Sequence, residues 1–187
     1  MYVLDIERLD LGADVKAVGL GLVEDDQNRE PARGPDAARI WSRVLTATAG
    51  QESWALDFFS HIERVRDYCD RHQIGYRATT PRSIVVPAPE AAALERLIDR
   101  FQSETFGARA GLSVSASASG DPDLERELAR RGVDAYHAAF PHYFFCAICG
   151  FEDGSLVLLS EKLWASEVIR RVRPALQGLD VEVRLPA

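Results

Sequence analysis

Two runs of strand-forming residues meet across Asp153-Gly154, with Tyr143, Phe144, Phe145, Cys146, Ala147 and Ile148 ahead and Leu156, Val157, Leu158 and Leu159 behind. An Asp-Gly pair between such runs is the strongest short-range hairpin signal, because a two-residue hairpin turn needs backbone conformations that these residues tolerate. With Asp153 and Gly154 as the turn, the expected register sets Glu152 opposite Ser155, Phe151 opposite Leu156 and Cys149 opposite Leu158. Neither run alternates cleanly between apolar and polar residues, so both faces are expected to be covered. The stretch from Tyr136 to Ser160 therefore belongs at the middle of a sheet, and the rest of the chain is arranged around it.

Upstream, residues 2–9 and 15–24 read as two strands around the turn Gly12-Ala13-Asp14, with Val18, Leu20 and Leu22 on one face. Gly19 and Gly21 fall on the opposite face, where glycine marks either close packing or a backbone floor beneath a ligand. The breaker-rich stretch Glu24 to Asp36 reads as a surface loop. Two amphipathic helices are expected next: Ala37, Ile40, Trp41, Val44, Leu45 and Thr48 form one stripe, closed by Gly50. Ala55, Phe58, Phe59, Ile62, Val65 and Cys69 form the other.

Tyr76 to Thr79 and Ser83 to Val86 read as strands across Thr80-Pro81. Pro89 and Gly107 bracket a helix with Leu94, Leu97, Ile98 and Phe101 inward. Leu112, Val114, Ala116 and Ala118 alternate with serines as a strand. Asp121 as N-cap and Pro122 as first residue open a helix that Gly132 closes, with Leu124 and Leu128 inward. Ser160 is expected to cap a helix running to about Arg173, with Ala165, Val168, Ile169 and Val172 inward and Pro174 as its stop. Val181, Val183 and Leu185 make a last strand.

Residues 76–116 and 143–185 thus share the order strand, turn, strand, helix, strand, a candidate pseudo-repeat that requires the same strand order in both. The expected architecture is a single α+β domain over residues 1–187. It has a mixed, mostly antiparallel sheet of about seven or eight strands, with helices chiefly on one face. The order of two strands, two helices, strands and a helix resembles the acyl-CoA N-acetyltransferase fold. The Q/R-x-x-G-x-G/A loop of that family is absent, so the likeness assigns no residue a role.

A chain of 187 residues can bury a sizeable core. Its net charge of −7 comes from an acidic excess spread over both halves, so no basic region exists to neutralise phosphates, which argues against nucleic-acid binding. Lysine occurs only at positions 16 and 162, and the predominance of arginine reads as compositional bias. No apolar run approaches a membrane span. With no export signal at the start and an odd number of cysteines, a cytoplasmic setting with reduced thiols is expected.

The sharpest chemical pattern is Cys146-Ala147-Ile148-Cys149-Gly150, together with Cys69 and His72, three apart on an expected helix. Three thiolates and one imidazole suit a tetrahedral zinc site. Against this, Cys146 and Cys149 on a regular strand point to opposite faces, and buried free cysteine is a common core residue. A thioredoxin-like use needs the motif at the start of a helix, not within a strand. His137 and His142 lie among aromatics without a nucleophile beside them. Asp5 with Glu7, and Glu125 with Glu127, read as solvent-facing charges. No phosphate loop or dinucleotide fingerprint occurs, since Gly19-Leu20-Gly21 lacks the third glycine and a following helix.

Without a catalytic constellation the expected function is a cytoplasmic, non-enzymatic protein-interaction module, such as an inhibitor, an immunity-like protein or an adaptor, whose acidic character favours a basic partner. The alternative is a small-molecule binder or acyltransferase-like enzyme. Its pocket would lie between the sheet and the helices of residues 36–73, with Trp41, Trp54, Tyr76, His137 and His142 as lining.

Overall fold

The computed structural model describes residues 1–11, 16–24, 29–111 and 122–185. In chain order the elements are β1 (Tyr2–Asp10), β2 (Lys16–Val23), α1 (Gly34–Ala49), β3 (Trp54–Phe58), α2 (Ile62–His72), β4 (Arg77–Thr80), β5 (Ser83–Pro87), α3 (Ala91–Phe101) and β6 (Phe106–Ala110). There follow α4 (Pro122–Arg131), α5 (Ala135–Ala139), β7 (Phe145–Gly150), β8 (Ser155–Leu159), α6 (Ala165–Ala175) and β9 (Val181–Arg184). The strands form one mixed sheet in the order β4-β5-β3-β6-β7-β8-β2-β1-β9. Every neighbouring pair is antiparallel except β1 with β9.

Two split β-α-β-β-α-β units explain that order. The first is β3-α2-β4-β5-α3-β6, laid out as β4-β5-β3-β6. The second takes β2 and α1 from the start of the chain and β7-β8-α6-β9 from its end, laid out as β7-β8-β2-β1-β9 with β1 as an additional strand. Both segments singled out for their patterning therefore run in the same direction along the sheet, β4 to β6 and β7 to β9. The first unit sits in sequence between α1 and β7, and pairing of β6 with β7 joins the two.

The hairpin β7–β8 stands at the centre, but its register differs from expectation. Gly150 pairs with Ser155 and Cys149 with Leu156, not Leu158. Residues Phe151–Asp153 form a 3₁₀ turn, and Gly154, at φ 63°, closes the loop. The cause is tertiary: Phe151 is buried and its ring stacks on Trp41 at 4.8 Å between centroids, so it leaves the ladder to enter the core. Glycine is needed at 154 for the left-handed backbone, and because a Cβ there would come within 2.5 Å of the Leu22 carbonyl oxygen. The shift is two residues, so each side chain keeps its face.

The second expected helix is really a strand followed by a helix. Trp54–Phe58 is the interior strand β3, buried at every position, and α2 begins only at Ile62. An interior strand loses its two-residue alternation, which let its apolar residues merge with the stripe of α2. With β3 between α1 and α2, the element order that resembled the acyl-CoA N-acetyltransferases is absent. Gly107 likewise lies inside β6 rather than closing α3, which ends at Phe101. The strand expected over Leu112–Ala118, the Gly12-Ala13-Asp14 turn and the Asp121 cap fall outside the described residues.

Ser160 caps a turn rather than a helix. Its Oγ accepts the N–H groups of Lys162 and Leu163, both at 3.0 Å, and donates to the Phe144 carbonyl at 2.6 Å. The following helix starts at Ala165, and Pro174 lies within its last turn instead of stopping it.

The larger core lies on one face of the sheet, beneath α1, α2, α3 and α6, with α1 packed against both α3 and α6. An aromatic row of Trp41, Phe151, Phe106, Phe58 and Phe101 crosses it, with centroid separations of 4.8, 5.5, 4.8 and 5.6 Å. A smaller core on the second face lies under α4 and α5, which bury Leu124, Leu128, Tyr136 and Phe140 against Cys146, Leu159 and Ala17.

Candidate functional site

On the second face, beneath α4 and α5, four polar side chains converge in the interior. Asp57 on β3 and Arg109 on β6 face each other, with Arg109 Nε 3.0 Å from Asp57 Oδ2. Arg109 Nη1 donates to the Tyr143 hydroxyl at 3.0 Å, and the Tyr136 hydroxyl donates to Asp57 Oδ2 at 2.7 Å. All four residues are buried. Gly107 is cross-strand from Asp57, and a Cβ there would overlap the Tyr136 ring and hydroxyl. The glycine is therefore the slot through which Tyr136 reaches the carboxylate.

Burial pushes the Asp57 carboxyl up, opposed first by Arg109 and then by the Tyr136 hydrogen bond. Loss of solvation weakens the hold of Arg109 on its proton, but Asp57 and Tyr143 more than reverse that. A guanidinium does not release its proton in a protein, and a neutral Asp57 would leave it as an uncompensated buried charge. The pair therefore rests as an ion pair. Burial and Asp57 hold Tyr136 in its neutral, donating form. The cluster pins the α4–α5 layer to the sheet and is sealed from solvent, which suits anchoring rather than proton transfer.

The zinc residues are not brought together. Cys146 faces the smaller core and Cys149 the larger, so the sheet separates them. Cys69 is buried in the larger core, and His72 is exposed with its ring 4.3 Å from that of Tyr68. Among the described residues no group of three or more His, Cys, Asp or Glu side chains could hold a metal ion. Burial pushes all three thiols up, Cys69 to about 11 and the other two higher.

The expected pocket between the sheet and residues 36–73 is not assembled either. Trp41 and Trp54 are both packed in the core, while His137 and His142 are exposed on and after α5. Tyr76 lines a cleft of about 550 Å³ between the end of α2, the start of β4 and the start of α3, which none of the other four reaches. His72, Glu90 and Arg96 also line it. The sequence reading missed Asp57, Arg109, Tyr136 and Tyr143; the available signal was a lone charge inside each of the apolar runs Trp54–Phe58 and Phe106–Ala110.

Helical cover is unequal on the two faces. On the second face α4 and α5 pack against β4, β5 and β7. From β7 to β1 the cover of that face is uneven: Leu159, Ala17, Gly19 and Val3 are buried, Ile148, Ser155, Val157, Gly21 and Val23 are half-buried, and Glu7 is exposed. Among the described residues no helix is long and apolar enough to cross a membrane. Comparison of the chain with protein-family models, with curated proteins and with solved structures gave no match in any of the three.

Proposed function

We infer that this protein is a non-enzymatic interaction module that docks a protein partner on the second sheet face, over β8, β2 and β1. The observation that carries the reading is the unequal cover. One face is packed beneath four helices, whereas the other leaves Val157, Ile148 and Val23 half-open beside an exposed carboxylate. The most chemically capable groups of the interior, Asp57, Tyr136 and the three thiols, are buried beyond the reach of a substrate. The net charge of −7 favours the approach of a basic partner. Three free, buried thiols suit a reducing, cytoplasmic setting.

A second reading rests on the 550 Å³ cleft, whose volume falls within the range of small-molecule sites and which carries Tyr76, His72 and Arg96. One experiment separates the two. The full chain is used as bait in extracts of its native source, followed by intact-mass analysis, with Val157→Arg and Tyr76→Ala run beside the wild type. A stoichiometric protein partner lost in Val157→Arg and kept in Tyr76→Ala is expected. A retained small molecule lost in Tyr76→Ala, with no protein partner, would overturn the docking reading.

A further inference from the structure

The sheet has two edges, and they differ. At one, β4 pairs with β5 through a register shift between Ala78 and Thr80, an irregularity that disfavours further pairing, and α4 packs against it. At the other, β9 is the last strand and, among the described residues, pairs only with β1. The parallel register sets Tyr2 beside Val181 and Asp5 beside Arg184, and the Tyr2 N–H donates to the Asp180 carbonyl. That pattern turns the N–H and C=O of Glu182 towards β1. The backbone groups of Val181 and Val183 therefore point outward, where another strand can pair with them. The Val181 N–H donates to the Leu179 carbonyl at 2.9 Å, and Arg173 Nη2 reaches the Val183 carbonyl at 3.5 Å, a weak contact at the outer limit of a hydrogen bond.

The side chains of this edge are self-complementary. Val181 and Val183 are half-buried against the larger core, and Leu185, next on the same face, is 55% exposed. Glu182 and Arg184 stand on the opposite face, joined by a 2.7 Å contact. An antiparallel copy centred on Val183 therefore sets Val183 opposite the partner's Val183, Val181 opposite the partner's Leu185, and Glu182 opposite the partner's Arg184. Only residues with outward backbone groups form the hydrogen-bonded pairs, so the register moves in steps of two. The neighbouring registers put Glu182 opposite the partner's Glu182, or Arg184 opposite the partner's Arg184, and like charges directly opposite are destabilising.

We propose that β9 pairs antiparallel with β9 of a second copy of this chain, about a twofold axis at Val183, so that the sheet runs on from one protomer into the other. The two Val183 residues exchange N–H and C=O across the axis, and the Leu185 N–H donates to the partner's Val181 carbonyl on each side. Pairing covers Leu185 and displaces Arg173 from the Val183 carbonyl, which makes Arg173 a competitor for the edge. The contact is isologous, the commonest arrangement of soluble oligomers. It goes beyond the docking reading above, whose face over β8, β2 and β1 is not used by the edge.

The test is sedimentation equilibrium of the full chain over a concentration series. A reversible rise from the mass of one chain towards that of two is expected. Val183→Pro deletes the outward N–H without touching the ladder to β1 and should weaken association about tenfold or more, whereas Arg173→Ala should strengthen it. Glu182→Arg and Arg184→Glu should each be monomeric alone, because each then sets like charges opposite one another across the axis. Mixed, the two should associate, because each supplies the charge that the other lacks. Repulsion within each chain is unchanged by mixing and does not account for such a rescue. Wild type that stays monomeric throughout the series, or variants that fail to associate when mixed, would overturn the proposal. So would a dimer kept by Val183→Pro; should that variant not fold, the mixing experiment decides alone. A dimer lost in Val157→Arg but kept in Val183→Pro places the second copy on the docking face instead. Loss of a native partner in Val157→Arg with the dimer intact leaves both inferences standing, so the two fail separately.

Discussion

Tyr136, on the short helix α5, donates a 2.7 Å hydrogen bond to Asp57 in the interior of β3, 79 residues away in sequence. The acceptor is the carboxylate that also balances Arg109, so the bond ties a helical layer to a buried ion pair. Removing only the hydroxyl, in Tyr136→Phe, leaves one fewer donor on a buried charge and is expected to lower stability by about 1.5–3 kcal/mol. Arg109→Met strands the carboxylate and is expected to cost about 3–5 kcal/mol. Urea denaturation of both variants checks the ordering. A loss in Arg109→Met no larger than that in Tyr136→Phe would mean that Asp57 is protonated in the folded protein.

Gly107 makes that contact possible, since a Cβ at this position would overlap the Tyr136 ring and hydroxyl. Gly107→Ala is therefore expected to destabilise by about 1–3 kcal/mol or more through overpacking, although alanine is otherwise harmless in a strand. Trimming the obstructing ring should restore part of the loss, so Gly107→Ala with Tyr136→Leu should be less destabilised than the sum of the single changes. Strict additivity in thermal or chemical denaturation would disprove the steric account.

The three cysteines should be silent in the folded protein. Each is buried, burial pushes the Cys69 thiol up to about 11, and Cys146 and Cys149 are pushed higher. The nucleophile is the thiolate, and at pH 8 very little of it forms at such sites. Titration with an aromatic disulfide reagent at pH 8 is expected to modify no thiol in the native protein and three after denaturation. Fast modification of one or more in the native state would show that the covering layer opens.

What was legible in the sequence was local. Asp153-Gly154 between two apolar runs placed the central hairpin, apolar stripes located α1, α3 and α4, and Gly50 marked the end of α1. The hairpin register was not legible, because Phe151 leaves the ladder for a ring on α1, more than 100 residues earlier in the chain. Strand β3 was misread because an interior strand is apolar on both faces, and its one charge, Asp57, finds Arg109 52 residues later. The alternation of Gly19 and Gly21 was visible and allowed either close packing or an open floor. Gly19 is closely packed against Leu9, whereas at Gly21 an added Cβ meets no described atom within 4 Å. That Asp5 and Glu7 flank them required the strand register, which no local pattern supplies.

The pH dependence of stability should carry the signature of Glu167. In the first turn of α6 this carboxylate accepts from Arg170 Nε at 2.8 Å and from Arg171 Nε at 2.8 Å. Arg171 in turn donates Nη1 to the Thr48 carbonyl at 3.1 Å, near the end of α1. Hydrogen bonds from Arg170 and then Arg171 lower the Glu167 pKa from its ordinary 4.5 to about 2. A carboxylate whose pKa falls on folding stabilises fully above its unfolded value, and that stabilisation disappears as pH drops towards the folded one. The window is therefore pH 4.5 down to about 2. Glu167→Gln should leave a shallower loss of stability across that window, while its stability near pH 2 approaches that of the wild type. Denaturation midpoints measured from pH 7 to pH 2 for both proteins check this, and parallel curves would show that the Arg170 and Arg171 contacts do not persist in solution.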